Sequence, residues 1–300
     1  MRTAVVLLVA LATLVVWAAS RDGGRAAGGD DRVTIFHETH THGKLARFPR
    51  YVGLRNALGE RNESLFLGNG DDLSTAYGGV RTDGRHTIEA FNAAGLDADT
   101  FGFSEMEFSP DRLKELVAAS RFAWVSANVR EGGEVLAAEQ GARRWIVEEI
   151  NDVRVGITGV LGTRFSHGQP PLTAHGPSGE VQVLDPARAL SGVVPEMRED
   201  GAEVVVVLSH MIHEDTLRVV DRVPGIDVAL GTHLGLPTLR PDIVGDTIVA
   251  VAGPADMEAL GELTLTVRDG RVASHAFRRH VAQDGDEADP QVEAVLARYE

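Results

Sequence analysis

Three histidines could do chemistry in one short stretch, His37-Glu38-Thr39-His40-Thr41-His42-Gly43, which follows an apolar run at residues 33–36. The apolar run predicts a buried strand, and residues 45–58 predict a helix. Alternate residues of an extended segment point to one side, so His40 and His42 would present both imidazoles together. Neutral imidazole is the commonest metal ligand, and open α/β sheets hold their sites beyond the carboxyl ends of strands. The stretch therefore indicates a metal site at a strand tip, against the alternative of a histidine-rich polar turn.

Later predicted strands also end in polar residues that could bind a cation. The strand at 64–67 is followed by Asp71, the strand at 98–101 by residues 102–107, and the strands at 203–208 and 226–230 by His210 and His233. A single histidine at a strand end is more often a capping or packing residue, but these tips would meet at one edge of a sheet. One carboxylate with several imidazoles suits zinc, manganese or iron.

The composition limits the chemistry and the partners. The net charge is −15, from 44 acidic and 29 basic residues, and such a surface would repel the phosphate backbone of nucleic acid. We therefore expect no nucleic-acid partner. Cysteine is absent, which excludes disulfides, thiolate zinc sites and cysteine nucleophiles. A metal would have to be held by His, Asp, Glu or Asn.

The N-terminal residues stand apart from the rest of the chain. Residues 1–20 combine Arg2, an apolar stretch at 4–19 and small residues at its end, which predicts a signal peptide or an N-terminal membrane anchor. Residues 21–31 predict a flexible linker, and 32–300 a single domain. An extracytoplasmic location is expected from this organisation.

Strands and helices alternate along the domain, which predicts an α/β fold. A hairpin is predicted at 144–150 and 153–160, an excursion at 130–142 and an irregular loop at 162–179. Three strands at 247–252, 262–267 and 271–278 predict an antiparallel edge of the sheet. Further helices are predicted over 85–94, 111–120, 186–198, a segment ending near 220, and 290–299.

In this order the motifs resemble the 5′-nucleotidase branch of the calcineurin-like metallophosphoesterases. The family's His-Thr-Asn-Asp-x-His-Gly is similar to residues 37–43, its Ala-Gly-Asp to 69–71 and its Leu-Gly-Asn-His-Glu-Phe-Asp to 101–107. Its Leu-Ser-His is similar to 208–210 and its Gly-Gly-His-x-His to 231–235. The resemblance runs from about 32 to 280 and implies a four-layer α/β/β/α sandwich of two mixed sheets.

The resemblance also implies the ligands of one or two divalent metal ions, zinc, manganese or iron. By position, His40, His42 and Asp71 would form the first site, and Asp71, His210 and His233 the second. The same two histidines, His210 and His233, would stabilise the oxyanion during catalysis. Two ions that share a carboxylate can stabilise both the attacking and the leaving oxygen of a phosphoryl displacement.

Four of the positions that have a metal-binding or catalytic role in the family depart from its pattern. His40 replaces an aspartate, Phe103 a ligand asparagine, Ser104 the histidine that assists the leaving group, and Gly235 a ligand histidine. With one carboxylate instead of two, double occupancy becomes electrostatically less favourable. Loss of a general acid typically costs about 10²–10⁴ in rate. Residues that could replace the missing ligands are His37, Asp72, Glu105 and His213, but each is more expected to lie behind the ligands or at the surface.

The resemblance implies metal-dependent hydrolysis of a small phosphorylated substrate, with nucleotides among the candidates. The alternative is a weakened member that binds metal or a phosphorylated ligand without efficient turnover. A purely structural domain is less expected, because four ligand positions are retained.

Overall fold

Two mixed sheets of six strands each pack face to face in the computed structural model, which describes residues 31–59, 63–166, 174–175, 181–253 and 256–300. The strands, in chain order, are β1 (Asp31–His37), β2 (Ser64–Leu67), β3 (Ala76–Tyr77), β4 (Val80–Arg81), β5 (Ala98–Asp99), β6 (Ala123–Trp124), β7 (Val129–Glu131), β8 (Glu134–Val135), β9 (Ile146–Ile150), β10 (Val153–Leu161), β11 (Ala174–His175), β12 (Val181–Val183), β13 (Val204–His210), β14 (Val228–Leu230), β15 (Asp242–Val244), β16 (Thr247–Ala250), β17 (Leu260–Arg268) and β18 (Arg271–His280). The helices are α1 (Phe48–Leu58), α2 (Arg85–Ala94), α3 (Pro110–Ala119), α4 (Pro186–Glu199), α5 (His213–Arg222) and α6 (Pro290–Leu296).

Each large sheet has a parallel centre with antiparallel strands at its edges. The first has the order β18-β17-β1-β2-β5-β6, and β1, β2, β5 and β6 run parallel. The second has the order β15-β16-β14-β13-β10-β9, with β16, β14, β13 and β10 parallel. Since the carboxyl ends of neighbouring parallel strands lie at one edge of a sheet, the residues that follow β1 and β2 lie together, as do those that follow β13 and β14.

Alternation of side chains along the strands creates three apolar layers. Val33 and Ile35 of β1 point between the sheets, where they belong to one cluster with Val155 and Val206 of the second sheet. Phe36, the next residue of β1, points to the opposite face. There it packs among residues of α1, α2, α3 and α6, while α4 and α5 cover the outer face of the second sheet. The predicted four-layer α/β/β/α sandwich is therefore confirmed.

Helix starts follow local sequence signals. Ser109 accepts the N–H of Arg112 at 3.3 Å and precedes a proline, and Asp185 accepts the N–H of Arg188 at 2.8 Å in the same way at α4. A side-chain oxygen at this position satisfies a backbone donor that the helix leaves unpaired, and proline suits the first turn.

Several predicted elements differ from the structure. The predicted excursion at 130–142 contains the hairpin of β7 and β8, which joins β12 and β11 in a four-stranded sheet. Its turn, Gly132-Gly133, has positive φ at both residues and is a hairpin signal that the sequence offered. The irregular loop predicted at 162–179 includes β11 and lies partly outside the described residues.

The predicted antiparallel edge at the C-terminal end is divided between the two sheets. β16 runs parallel to β14 in the second sheet, whereas β17 and β18 are antiparallel strands of the first. Runs of β-branched residues predict strands but not their direction or sheet, so the sequence pattern could not separate them. The last helix ends at Leu296, three residues before the predicted end.

The N-terminal predictions fall outside the described part of the chain. The signal peptide or anchor at 1–20 and nearly all of the linker lie there, while Asp31 already belongs to β1. Among the helices that the structure describes, none has the length and apolar character needed to cross a membrane.

Candidate metal centre

Five side chains from the ends of four strands meet where the carboxyl ends of the parallel strands of the two sheets lie close together. They form two groups, His40 with His42 and Asp71, and Asp71 with His210 and His233, and within each group the ligand atoms lie within 4.8 Å of one another. The first two histidines follow β1, Asp71 follows β2, His210 ends β13 and His233 follows β14. The structure therefore brings together all five residues that were predicted as ligands.

The loops after β1 and β2 are joined through their backbones. The N–H of His42 donates to the carbonyl of Asp71 at 2.9 Å, and the N–H of Gly43 donates to that of Asp72 at 2.9 Å. His42 and Asp71 have φ of 48° and 58°, a left-handed conformation that Asp, Asn and His adopt more readily than most residues. These bonds hold both side chains at fixed positions against each other.

Asp71 stands at the centre of the site. Its Oδ2 atom lies 3.1 Å from Nε2 of His210, 3.2 Å from Nδ1 of His233 and 3.6 Å from Nε2 of His42, and its Oδ1 accepts the N–H of Ser104 at 2.5 Å. Burial acts to raise the pKa of the Asp71 carboxyl, but the charge of His210 and hydrogen bonds from the three imidazoles hold it well below its ordinary value. Asp71 is therefore a carboxylate that both groups share.

Two histidines are oriented by partners outside the ligand groups. Nδ1 of His210 donates to the carbonyl of Asn69 at 2.8 Å, and Nδ1 of His42 lies 2.9 Å from Oδ1 of Asp256. In each ring the other nitrogen, Nε2, is then directed toward Asp71. Such partners commonly fix the tautomer and ring angle of a metal-ligating histidine.

The buried imidazoles have polar atoms that need a partner. Among the described residues, both ring nitrogens of His40 and Nε2 of His233 lack one. Burial and the neighbouring His210 lower the pKa of His40 to about 3, so its ring is neutral and keeps a lone pair. Buried polar atoms are rarely left unpaired, and three nitrogen or oxygen ligands plus water make a workable site for a divalent cation. The residues present therefore fit divalent metal ions.

Phe103 gives the second group an apolar wall. Its ring centroid lies 4.7 Å from that of His233 and 5.7 Å from that of His210. Phe165, which is 57% exposed, lies 4.8 Å from His233 and 5.3 Å from Phe103. The position that the family resemblance assigns to an amide ligand is thus part of an aromatic surface.

Gly235 has no room for the histidine that the family pattern has there. A Cβ atom at this position would lie 2.9 Å from Cβ of His213 and 3.1 Å from Oγ1 of Thr232. Nε2 of His213 lies 2.9 Å from Oδ2 of Asp242.

Within the described chain, none of the four residues considered as replacement ligands belongs to either ligand group. These residues, which contact other groups, are His37, Asp72, Glu105 and His213. Glu105 accepts backbone N–H groups, and Asp72 accepts the N–H of Thr41 at 2.7 Å. The ring of His37 is stacked on Phe277 with 6.0 Å between centroids. Glu105 and Asp72 therefore shape the loops of the site, whereas His37 packs against a strand.

A layer of buried carboxyl groups supports the loop that carries Asp71. Glu38 accepts the N–H of Asn69 at 2.9 Å, and Asp99 accepts that of Gly70 at 3.0 Å. Burial, together with neighbouring carboxylates, raises the pKa values of Glu38 and Asp99 well above their usual range. These supporting residues, like Asp256, were missed because their roles depend on contacts between distant parts of the chain.

Comparisons with known proteins agree with the fold. The probable 5′-nucleotidase of Treponema pallidum is 25% identical over 258 residues, which are 76% of this chain and 42% of that protein. The crystal structure of the calcineurin-like phosphoesterase YfkN from Bacillus subtilis matches with a TM-score of 0.71 at 20% identity, over 90% of this chain and 97% of that one. The sulfate thiohydrolase SoxB of Thermus thermophilus matches with a TM-score of 0.77 at 19% identity, over 92% of this chain and 61% of that one.

Curated relatives are longer than this chain, which spans 17% to 53% of the length of four of them. No family model matches the chain. Relatives named as 5′-nucleotidases and nucleotide phosphodiesterases, and solved structures of the same fold, confirm the resemblance that the ordered motifs indicated. The chain has the fold of the calcineurin-like phosphoesterases, and its sequence is similar to proteins named as 5′-nucleotidases and nucleotide phosphodiesterases.

Proposed function

We propose that this chain is a metal-dependent phosphoester hydrolase that acts on a small phosphorylated substrate. The observation that carries the proposal is that two groups of metal-ligating side chains share one carboxylate, that of Asp71. His40 and His42 complete the first group, and His210 and His233 the second. One or two ions of zinc, manganese or iron suit such donors, since imidazole binds all three.

The residues around Asp71 prepare the site for a phosphoryl group. A divalent ion held there supplies Lewis-acid chemistry, because it polarises phosphoryl oxygens and lowers the pKa of water. The N–H of Ser104 donates to the Asp71 carboxylate, and the N–H of His42 donates to the backbone carbonyl of Asp71. The carbonyl of Asn69 fixes the ring of His210. His210 and His233 both approach Oδ2 of Asp71. Nε2 of His233, which has no partner among the described residues, is available to donate to a phosphoryl oxygen on which negative charge develops.

The family resemblance places the leaving group next to residues 103 and 104. This side of the site is apolar and has a serine, not a histidine, at position 104. The Ser104 hydroxyl lies 3.4 Å from Oε1 of Glu105, and a hydroxyl is a weak acid. Phe103 and exposed Phe165 provide aromatic surface beside His233. This arrangement favours substrates whose leaving group is flat and departs without an added proton. Nucleotides stay among the candidate substrates, because the names of several relatives refer to them.

The location proposed for the reaction is outside the cytoplasm. The proposal depends on the apolar stretch at residues 4–19, which follows Arg2 as in a signal peptide or membrane anchor. A relative from Naja atra is a snake venom 5′-nucleotidase, which is compatible with this location.

A second candidate function is binding of metal or a phosphorylated ligand without efficient turnover. The observation that favours it is that Phe103 and Ser104 stand where the resemblance implies an amide ligand and an acid. The two functions differ in turnover and not in metal content.

Elemental analysis of the purified protein and hydrolysis of p-nitrophenyl phosphate with added Mn²⁺ or Zn²⁺ test the proposal. We expect bound divalent metal and activity in the native chain, and loss of both in Asp71→Asn. The matched control is Asp246→Asn, which changes an exposed carboxylate in a turn. Metal without activity would favour the second candidate. Absence of metal would overturn the hydrolase and leave only binding of a phosphorylated ligand without metal.

A further inference from the structure

Asp256 lies against the first ligand group although it is far from it in sequence. Its Oδ1 atom is 2.9 Å from Nδ1 of His42, and its Oδ2 accepts from Nζ of Lys44 at 2.6 Å. Both carboxylate oxygens are thus engaged, one by a histidine of the site and the other by an ammonium group.

The backbone delivers Asp256 to this place. The N–H of Gly253 donates to Oγ1 of Thr39 at 3.2 Å, and the N–H of Met257 donates to the carbonyl of Thr39 at 3.3 Å. Asp256 and Met257 have φ of 54° and 49°, so a tight turn presents the carboxylate toward His42. The turn is attached on both sides of Asp256 to the residue that precedes His40.

The contact decides which nitrogen of His42 faces the site. A carboxylate accepts hydrogen bonds and does not donate them, so Nδ1 of His42 carries the proton in this pair. The other nitrogen, Nε2, is the atom that lies 3.6 Å from Oδ2 of Asp71. When a cation takes the place of the proton on Nε2, the ring presents the lone pair of that atom to the cation.

Charge gives the contact a second role. In the described part of the chain, the two ligand groups together contain four imidazoles and one carboxylate. A carboxylate that binds the outer nitrogen of a ligand histidine raises the basicity of that ligand and adds negative charge one ring away. Asp256 is placed to supply this charge to the first group.

From this geometry we infer that Asp256 is a positioning residue, an outer carboxylate that fixes His42 with Nε2 toward the site and strengthens divalent-cation binding by His40, His42 and Asp71. The inference rests on the proposed function, because it requires that the site binds a cation. Lys44 donates to the second oxygen of the carboxylate.

The experiment compares Asp256→Ala, Asp256→Asn and the control Asp284→Asn, in which an exposed carboxylate near Arg47 and Arg50 is changed. Zn²⁺ is titrated into each metal-free protein by calorimetry, and ¹⁵N imidazole shifts of the Zn²⁺-loaded proteins report the protonated nitrogen of His42. Thermal unfolding checks that each variant folds. The asparagine variant keeps an acceptor and removes the charge, and it is also the variant to rely on if the alanine variant is unstable.

We expect Asp256→Ala to lower Zn²⁺ affinity about 10–100-fold and to release the Nδ1–H of His42, as loss of such outer partners does elsewhere. Asp256→Asn should lose part of the affinity and keep the protonated Nδ1. Affinity and shifts equal to those of Asp284→Asn would overturn the inference while leaving the proposed function intact. Failure of the unaltered chain to bind Zn²⁺ or Mn²⁺ would overturn the proposed function itself, and the role of Asp256 with it.

Discussion

Glu105 holds the backbone of Asp71, because its Oε2 atom accepts the Asp71 N–H at 2.8 Å. The same carboxylate accepts the N–H groups of Gly102 at 2.7 Å, Asp72 at 3.0 Å and Leu73 at 2.9 Å. One buried side chain therefore organises two strand-tip loops, and the shared carboxylate of the site owes its position to it.

Glu105→Gln should destabilise the protein and weaken metal binding. An amide presents an NH₂ group where an oxygen now accepts two N–H groups, so hydrogen bonds are lost and donors face one another. We expect a loss of about 2–4 kcal/mol in the free energy of unfolding, since buried donors left unpaired cost about 1–3 kcal/mol each. Urea unfolding of the metal-free protein measures this. The control is Glu107→Gln, an exposed residue of the same short 3₁₀ helix. Equal stability of the two variants would contradict the role of Glu105.

Phe165→Ala should reduce the preference for aromatic leaving groups. Aromatic contacts contribute about 0.5–1.5 kcal/mol beyond area burial, so kcat/KM for p-nitrophenyl phosphate should fall about three- to tenfold. For a short alkyl phosphate the change should be less than about twofold, because that group is too small to stack on a ring. Leu236→Ala, which removes another exposed apolar side chain, is the control. Parallel losses for both substrates would indicate a structural effect.

Phe103→Asn should strengthen cation binding by the second group. The amide oxygen would replace an aromatic ring that lies 4.7 Å from His233, and oxygen is a ligand for the same ions. We expect a higher metal-to-chain ratio at saturation in elemental analysis. Phe103→Leu, which opens the same space without an oxygen, should leave the ratio unchanged. The gain should not extend to Gly235→His, since a side chain there meets His213.

Ser104→His should accelerate hydrolysis of substrates whose leaving group needs a proton. General acid catalysis is worth about 10²–10⁴ in rate, and a part of this should appear for an alkyl phosphate. p-Nitrophenolate departs without protonation, so its phosphate ester should gain little. Steady-state kinetics with both substrates measure the difference, with Ser104→Gln as the control. A similar gain for both esters would argue against an acid role.

His37 should make the fold sensitive to mild acid. Burial lowers the pKa of His37 to about 4, whereas in the unfolded chain it is 6.5. The unfolded state therefore binds a proton first as the pH falls, and stability decreases between pH 6.5 and 4. From pH 7 to pH 5 this effect of His37 lowers the free energy of unfolding by an amount on the order of 2 kcal/mol.

Metal-free His37→Phe should lose less unfolding free energy over that pH interval than the unaltered protein. The comparison uses the difference between two pH values, so any constant packing cost of the larger ring cancels. His275→Gln, a change at an exposed histidine, should behave like the unaltered protein. Identical pH slopes for the Phe variant and the unaltered chain would show that His37 does not carry the effect.

Local patterns predicted the elements well, whereas long-range contacts were not predictable. The strand Ser64–Leu67 and the helix Arg85–Ala94 have their predicted bounds, and that helix ends at Gly95 in the left-handed conformation that glycine favours. The candidate ligands were predicted to lie together because they follow strands whose carboxyl ends lie at one edge of a sheet, and the structure places them within 4.8 Å of one another in two groups. Asp256 is 214 positions from His42 in sequence, and no periodicity links the two.

The left-handed backbone at His42 and Asp71 lowers the stability of the folded chain while it places both side chains in the candidate metal centre. Residues other than glycine in this region cost on the order of 1 kcal/mol or more, so glycine at either position would relax the loop. Histidine and aspartate adopt this conformation more readily than most residues, but glycine would adopt it at a lower cost. Retention of both side chains at these positions is consistent with the cation binding proposed for them.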